Sequence, residues 1–184
     1  MASAAKQPMT AEELIRLPSN GIRHELVRGM LMSRAPVSFQ HGKIVIRLGG
    51  MLDRFVADAG VGEVVGSDVG FYLERDPDTV RAPDIAFVFN ARIPSQQDKT
   101  KYIDGPPDFA IEVLSPSDSM KAIEEKAEAF LEAGSKLVWV VNPRSRRVWV
   151  YQPNRKPLAM KGDDVLDAGE VIPGFRISIR DIFG

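Results

Sequence analysis

Two short runs of β-branched and aromatic residues stand out in the hydrophobic pattern: Arg81-Ala82-Pro83-Asp84-Ile85-Ala86-Phe87-Val88-Phe89 and Asp108-Phe109-Ala110-Ile111-Glu112-Val113-Leu114-Ser115. Each is almost unbroken between turn signals and reads as a buried strand. Each also carries one carboxylate inside the apolar run, Asp84 in the first and Glu112 in the second. Alternate side chains of a strand share a face, so Ile85, Phe87 and Phe89 point one way and Asp84, Ala86 and Val88 the other, while Glu112 goes with Ala110 and Leu114. If the two strands lie side by side with matched faces, the two acids meet beside two small alanines. Buried like charges repel and lose hydration, so such a pair calls for a cation.

The rest of the pattern alternates helical and strand periods. Thr10-Ala11-Glu12-Glu13 has the form of a capping box, which predicts a short helix to about Leu17, ended by Pro18. Ile22 to Arg28 and Met30 to Arg34 read as a hairpin about Gly29, with Glu25 in its first arm. After Ser38, a cap residue, Ile44, Val45, Leu48, Leu52, Phe55 and Val56 keep a 3.6-residue period as far as a stop at Gly60. Strands are expected over 62–66, 69–74 and 83–89, and a meander in one sheet is the simplest arrangement for them. The polar stretch 90–107 reads as a long surface loop with Lys99 and Lys101 in its middle. Ser115-Pro116-Ser117-Asp118 supplies caps for a helix to about Ala133, closed by Gly134. A second hairpin, 136–142 and 146–152, carries Trp139 in one arm and Trp149 in the other, and an exposed edge there would favour self-association. No repeat or linker divides the chain, so residues 1–184 are expected to form one α/β domain, a mixed sheet flanked by helices, with 1–9 a flexible N-terminus.

Composition narrows the function classes. At 184 residues the chain can bury a sizeable core without a metal or disulfide to hold it together. The absence of cysteine excludes a disulfide framework, a zinc-thiolate site and a thiol nucleophile, and suits a reducing cytoplasm. No apolar run approaches the ~20 residues of a membrane span, and the first residues lack the apolar core of a signal peptide, so a cytoplasmic location is expected. Lys and Arg total 24 against 25 Asp and Glu, and a net charge of -1 gives no global attraction to nucleic acid. Basic residues are nonetheless clustered, at Lys99 and Lys101 and at Arg144, Arg146, Arg147, Arg155 and Lys156.

For several residues a structural role competes with a chemical one. Asp84 and Glu112 either share a cation or are strand-end acids in salt bridges, for which Arg81 is available. Lys126 lies at the flank of the stripe Ile123, Ala127, Phe130 and Leu131, and can turn inward above Glu112 or snorkel outward beside Glu124, Glu125 and Glu128. Glu25 stands in a strand that could face solvent. His41 fits a hydrogen bond at a helix N-terminus, and His24 a solvated strand. There is no histidine-rich metal spacing, no glycine-rich phosphate loop and no nucleophile elbow. A binding or assembly module without catalysis competes with an enzyme, and the near-neutral charge favours it.

The ordered set His24-Glu25-Leu26-Val27-Arg28-Gly29, His41-Gly42, Pro83-Asp84-Ile85-Ala86, Ile111-Glu112-Val113-Leu114-Ser115-Pro116-Ser117, Lys126, Gly134 and Val138-Trp139-Val140-Val141-Asn142-Pro143 resembles the Uma-two family. That family is similar to the PD-(D/E)xK nucleases, which have a restriction-endonuclease-like mixed sheet flanked by helices. The resemblance continues to Ile172-Pro173-Gly174-Phe175 and Asp181-Ile182-Phe183. It matches Asp84 to the motif aspartate, Glu112 to the second acid and Glu25 to an early motif acid. Leu114 occupies the usual lysine place, and Lys126 matches a lysine moved to the following helix. Phe130 and Asn142 stand where the family usually has tyrosine and aspartate.

What the resemblance implies is a metal-dependent endonuclease acting on nucleic acid, most often DNA. Asp84 and Glu112 would hold Mg²⁺ or Mn²⁺ with the Val113 carbonyl, since hard cations take oxygen ligands. Lys126 would orient or deprotonate the attacking water, and Glu25 would complete the metal's surroundings. His41, Lys99 and Lys101 are the candidate phosphate contacts. Many nucleases of this fold cut two strands as dimers, so a homodimer is implied as well.

Overall fold

The computed structural model describes residues 8–18, 21–95 and 101–184; residues 1–7 of the expected flexible N-terminus, and Lys99, lie outside them. The capping box forms as expected. Glu13 N–H donates to Thr10 Oγ1 at 3.2 Å and Thr10 N–H to Glu13 Oε2 at 2.8 Å, opening helix α1, Ala11–Ile15. Strands β1, Arg23–Val27, and β2, Met30–Arg34, make the first hairpin. Its turn residues Arg28 and Gly29 both have positive φ, 49° and 72°, which matches the twist of paired strands.

Helix α2, Phe39–Ala59, begins at Ser38, whose Oγ accepts from His41 N–H, and ends at Gly60 in the left-handed region. The following strands do not form the expected meander. β3, Gly62–Gly66, and β6, Ile85–Phe89, pair with each other, whereas β4, Phe71–Glu74, turns away to pair with β5, Thr79–Arg81. The three-residue β5 is too short to show a period before Pro83, and it joins β4 to β1. The sheet order β2-β1-β5-β4-β7 results, with β7 the two residues Ile103–Asp104 inside the expected long loop.

The second sheet has six strands in the order β11-β10-β9-β8-β6-β3, with β8 Phe109–Val113, β9 Leu137–Asn142, β10 Arg147–Tyr151 and β11 Leu158–Lys161. β8 and β9 are parallel and the other pairs antiparallel, so the sheet is mixed. The tryptophan hairpin β9–β10 is interior to it. β11 covers one side and β8 the other, so the expected exposed edge does not occur there.

Helices cover both faces of this sheet. On one face the α2 stripe Ile44, Leu48, Leu52 and Val56 packs on Ile85, Phe87, Phe109, Ile111 and Trp139. On the other, helix α3, Met120–Ala133, sets Ile123, Ala127 and Phe130 on Ala110, Val138, Val140 and Tyr151. Each buried aliphatic contributes about 1.5–3 kcal/mol, so these stripes anchor the helices more firmly than propensity does. The cap of α3 is Ser119, whose Oγ accepts from Ala122 N–H, and not one of residues 115–118. Asp118 is engaged earlier, accepting the Ser115 N–H at 2.8 Å. Among the described residues no helix is long and apolar enough to cross a membrane.

Candidate active site

The β6–β8 register decides where the two acids go. Ile85 pairs with Ile111 and Ala86 with Ala110, so continuing one step sets Asp84, just before β6, opposite Glu112. The face assignments expected from alternation hold, with Ala110 and Leu114 in the α3 core and Ile85 and Phe87 in the α2 core. Val113 N–H donates to Asp84 Oδ2 at 2.8 Å, and His41 Nε2 lies 3.1 Å from the same oxygen. A strand residue's N–H and C=O face the same neighbour, so the Val113 carbonyl is on the Asp84 side of β8.

Lys126 resolves inward, and is 3% exposed. From the second turn of α3 its Nζ reaches 2.7 Å from Glu112 Oε1 and 2.8 Å from Glu25 Oε1, and donates to the Ala82 carbonyl at 2.9 Å. Three oxygens thus surround the three protons of the ammonium. The contact with Glu112 is the shortest of the three, a buried ion pair. Glu25 is the hub of the remainder: Arg81 lies 2.9 Å and Arg34 3.3 Å from its Oε2, and Ala82 N–H donates to Oε1 at 3.1 Å.

Glu25, Asp84, Glu112 and Lys126 therefore come together. Arg81 joins them, but on Glu25 and not on Asp84 or Glu112. Arg34 is absent from the sequence-based candidates, although Glu25 pairs with Met32 across the hairpin, so Arg34 is its diagonal neighbour. His41 lines the same cleft as these residues, but it is 4% exposed, and its Nε2 is turned onto Asp84. Lys101 is exposed beside β7, outside the cleft that these residues line. His24 lines that cleft, with Ser33 Oγ 3.2 Å from its Nδ1.

The cleft has a volume of about 480 Å³ and lies where the β1–β2 hairpin meets the ends of β6 and β8. Arg34 crosses it from Glu25 to within 3.7 Å of Asp118 Oδ1, tying the hairpin to the loop before α3. Charge is unevenly shared inside it. Burial alone would raise the Glu25 carboxyl, yet Lys126, Arg81 and Arg34 together hold it down to about 2. Burial pushes Glu112 up to about 8, against the pull of Lys126 and with added repulsion from Asp84 and Glu25. Burial would lower Lys126, but Glu112 and Glu25 outweigh it and raise the ammonium above the usual lysine value.

Glu112 is thus the acid whose burial is least offset by cations, and Asp84 faces it. Among the described residues no group of three or more His, Asp and Glu side chains is arranged to hold a metal. Glu112 Oε1 is taken by the Lys126 ammonium, but Asp84 faces Glu112 across the strand pair, and two carboxylates with few other donors suit a cation that needs few protein ligands and keeps several waters. Mg²⁺ is of that kind, and zinc, which prefers nitrogen and sulfur, is not.

Comparison with known proteins agrees with this arrangement of elements. A comparison with curated proteins returns no match. A solved structure described as "a putative nuclease belonging to DUF820", from Anabaena variabilis, is 21% identical, covers 96% of this chain and 98% of its own, and superposes with a TM-score of 0.84. At that identity the likeness establishes the fold, the nuclease-like α/β architecture built above. The model of the Uma2 family, described as "Putative restriction endonuclease", matches residues 11–180. Those residues include every element that builds the cleft, and the chain belongs to the Uma2 family.

Proposed function

We propose that the chain is a divalent-metal-dependent endonuclease that hydrolyses phosphodiester bonds of nucleic acid, with DNA as the substrate. The observation that carries this reading is the facing, buried pair Asp84 and Glu112 beside a charged lysine in a polar cleft. The family description, a restriction endonuclease, supports DNA as the polymer. Asp84 and Glu112, with the Val113 carbonyl, are the residues that would hold Mg²⁺ or Mn²⁺. When bound, such an ion supplies Lewis acidity and a water of lowered pKa.

The chain's own groups supply the rest. Lys126 stays protonated and is surrounded by acceptors, so its contribution is positive charge beside the reacting phosphate and not removal of the water's proton. Glu25 holds Lys126 and Arg81 in place beside the two metal-facing acids. Arg144 lines a second cavity of about 360 Å³ that shares Ser115 and Asp118 with the cleft, a path along which a strand can leave the centre. A binding module that keeps the nuclease fold is favoured by one observation, the net charge of -1. Incubating the protein with single-stranded, double-stranded and branched DNA and RNA, in Mg²⁺, Mn²⁺ or chelator, separates the two. Cleavage that needs the metal supports the nuclease; binding without cleavage in every metal supports the module.

A further inference from the structure

His41 is conspicuous among the buried side chains because its ring has a single polar partner. It sits in the first turn of α2, where Ser38 Oγ accepts its backbone N–H at 3.3 Å. It opens the same inward stripe as Ile44, Leu48, Leu52 and Val56, so the packing of the whole helix fixes where the ring points. Nε2 lies 3.1 Å from Asp84 Oδ2, while Nδ1 is buried with no hydrogen-bond partner. A buried imidazole that leaves one nitrogen unsatisfied forgoes a hydrogen bond, and the bond to Asp84 is what its position offers in return.

Asp84 Oδ2 receives two donors from two different elements, His41 on α2 and the Val113 N–H on β8. Among the described residues no hydrogen bond reaches Oδ1. A carboxylate held by two donors on one oxygen has its rotation about χ2 fixed, and its other oxygen is presented in one direction. We propose that His41 is a positioning residue, donating from Nε2 to Asp84 Oδ2 so that Oδ1 is held toward Glu112 for a divalent cation. This rests on the metal reading given above, and it gives His41 a role behind the carboxylate instead of at the substrate phosphate. Partners of this kind behind a metal ligand alter affinity by about 10–100-fold when removed.

The test is calorimetric titration of Mn²⁺ into wild type, His41→Gln and His41→Leu. The glutamine amide can place a donor close to where Nε2 lies, so His41→Gln should stay within about 3-fold of wild type while His41→Leu loses about 10–100-fold. Thermal melting of each protein checks that the variants are folded. If His41→Leu does not fold, His41→Asn replaces it, since its shorter amide keeps polarity but does not reach Asp84. Equal Mn²⁺ affinity in wild type and the leucine or asparagine variant overturns the proposal, as does an equal loss in His41→Gln, which would make the effect one of ring packing. A wild type that takes up no Mn²⁺ overturns the metal reading and this one with it. A wild type that binds Mn²⁺ through a His41-dependent site but cleaves nothing leaves His41 standing and removes only the nuclease.

Discussion

Glu25 and Glu112 are both almost inaccessible, at 3% exposure each, yet burial has opposite outcomes for them. Among the described residues, three cations lie within ion-pair distance of Glu25 and one, the shared Lys126, within that distance of Glu112. The consequence for acid stability has a definite sign. The Glu25 carboxyl drops from 4.5 to about 2 on folding, so its contribution is fully present above pH 4.5 and is lost as pH falls toward 2. The shift corresponds to on the order of 3 kcal/mol. Urea denaturation of wild type and Glu25→Gln between pH 6 and about 2.5 should show a steep acid loss in the first and a much flatter one in the second. Parallel curves would mean that Glu25 is not the acid whose pairing the fold depends on.

Lys126 gives a second test at this scale. A snorkelling lysine would cost well under ~1 kcal/mol on replacement by alanine. Buried between Glu25 and Glu112, its removal leaves two acids without their shared cation, and Lys126→Ala should lose about 3–5 kcal/mol of unfolding free energy. A denaturation midpoint indistinguishable from wild type would contradict the inward placement.

At the scale of elements, what the sequence shows well is whatever is repeated or locally punctuated. The capping box at Thr10 and Glu13, the α2 stripe and the glycines after α2 and α3 are all local, and the structure agrees with each. The acid pair was legible in part, because alternation fixed the faces of Asp84 and Glu112, while their meeting depended on the two strands pairing side by side, as they do. Partner choice across distant elements was not legible. β5 has three residues and no period, and its pairing with β1 and β4 pulled β4 out of the expected meander. Lys126 sits at a stripe's flank, where periodicity does not say which way a long side chain turns. His41 finds its partner 43 residues away, through folding and not through spacing, whereas Arg34 follows Glu25 diagonally across the predicted hairpin. The α2 stripe itself can be tested with Leu48→Ala, a fully buried position, which should cost about 2–5 kcal/mol in the same denaturation assay. A cost under ~1 kcal/mol would show that α2 is not held by its inward face.

For the whole molecule, two sheets meet at a cleft to which β1, β2, β8, α2 and α3 each bring a side chain or backbone group. Near-neutral net charge leaves substrate capture to local groups, so any binding to nucleic acid should weaken with salt only modestly, in proportion to the few phosphates engaged. On the function proposed above, Asp84 belongs to a metal centre that cuts nucleic acid. The decisive measurement is cleavage of DNA by wild type and Asp84→Asn, side by side in Mg²⁺ and in chelator. Wild type should cut only with the metal, and Asp84→Asn, which keeps the size of the side chain and removes its charge, should be slower by about 10²-fold or more. Cutting by Asp84→Asn at the wild-type rate, or a wild type inert on every nucleic acid with Mg²⁺ and Mn²⁺ present, would contradict it.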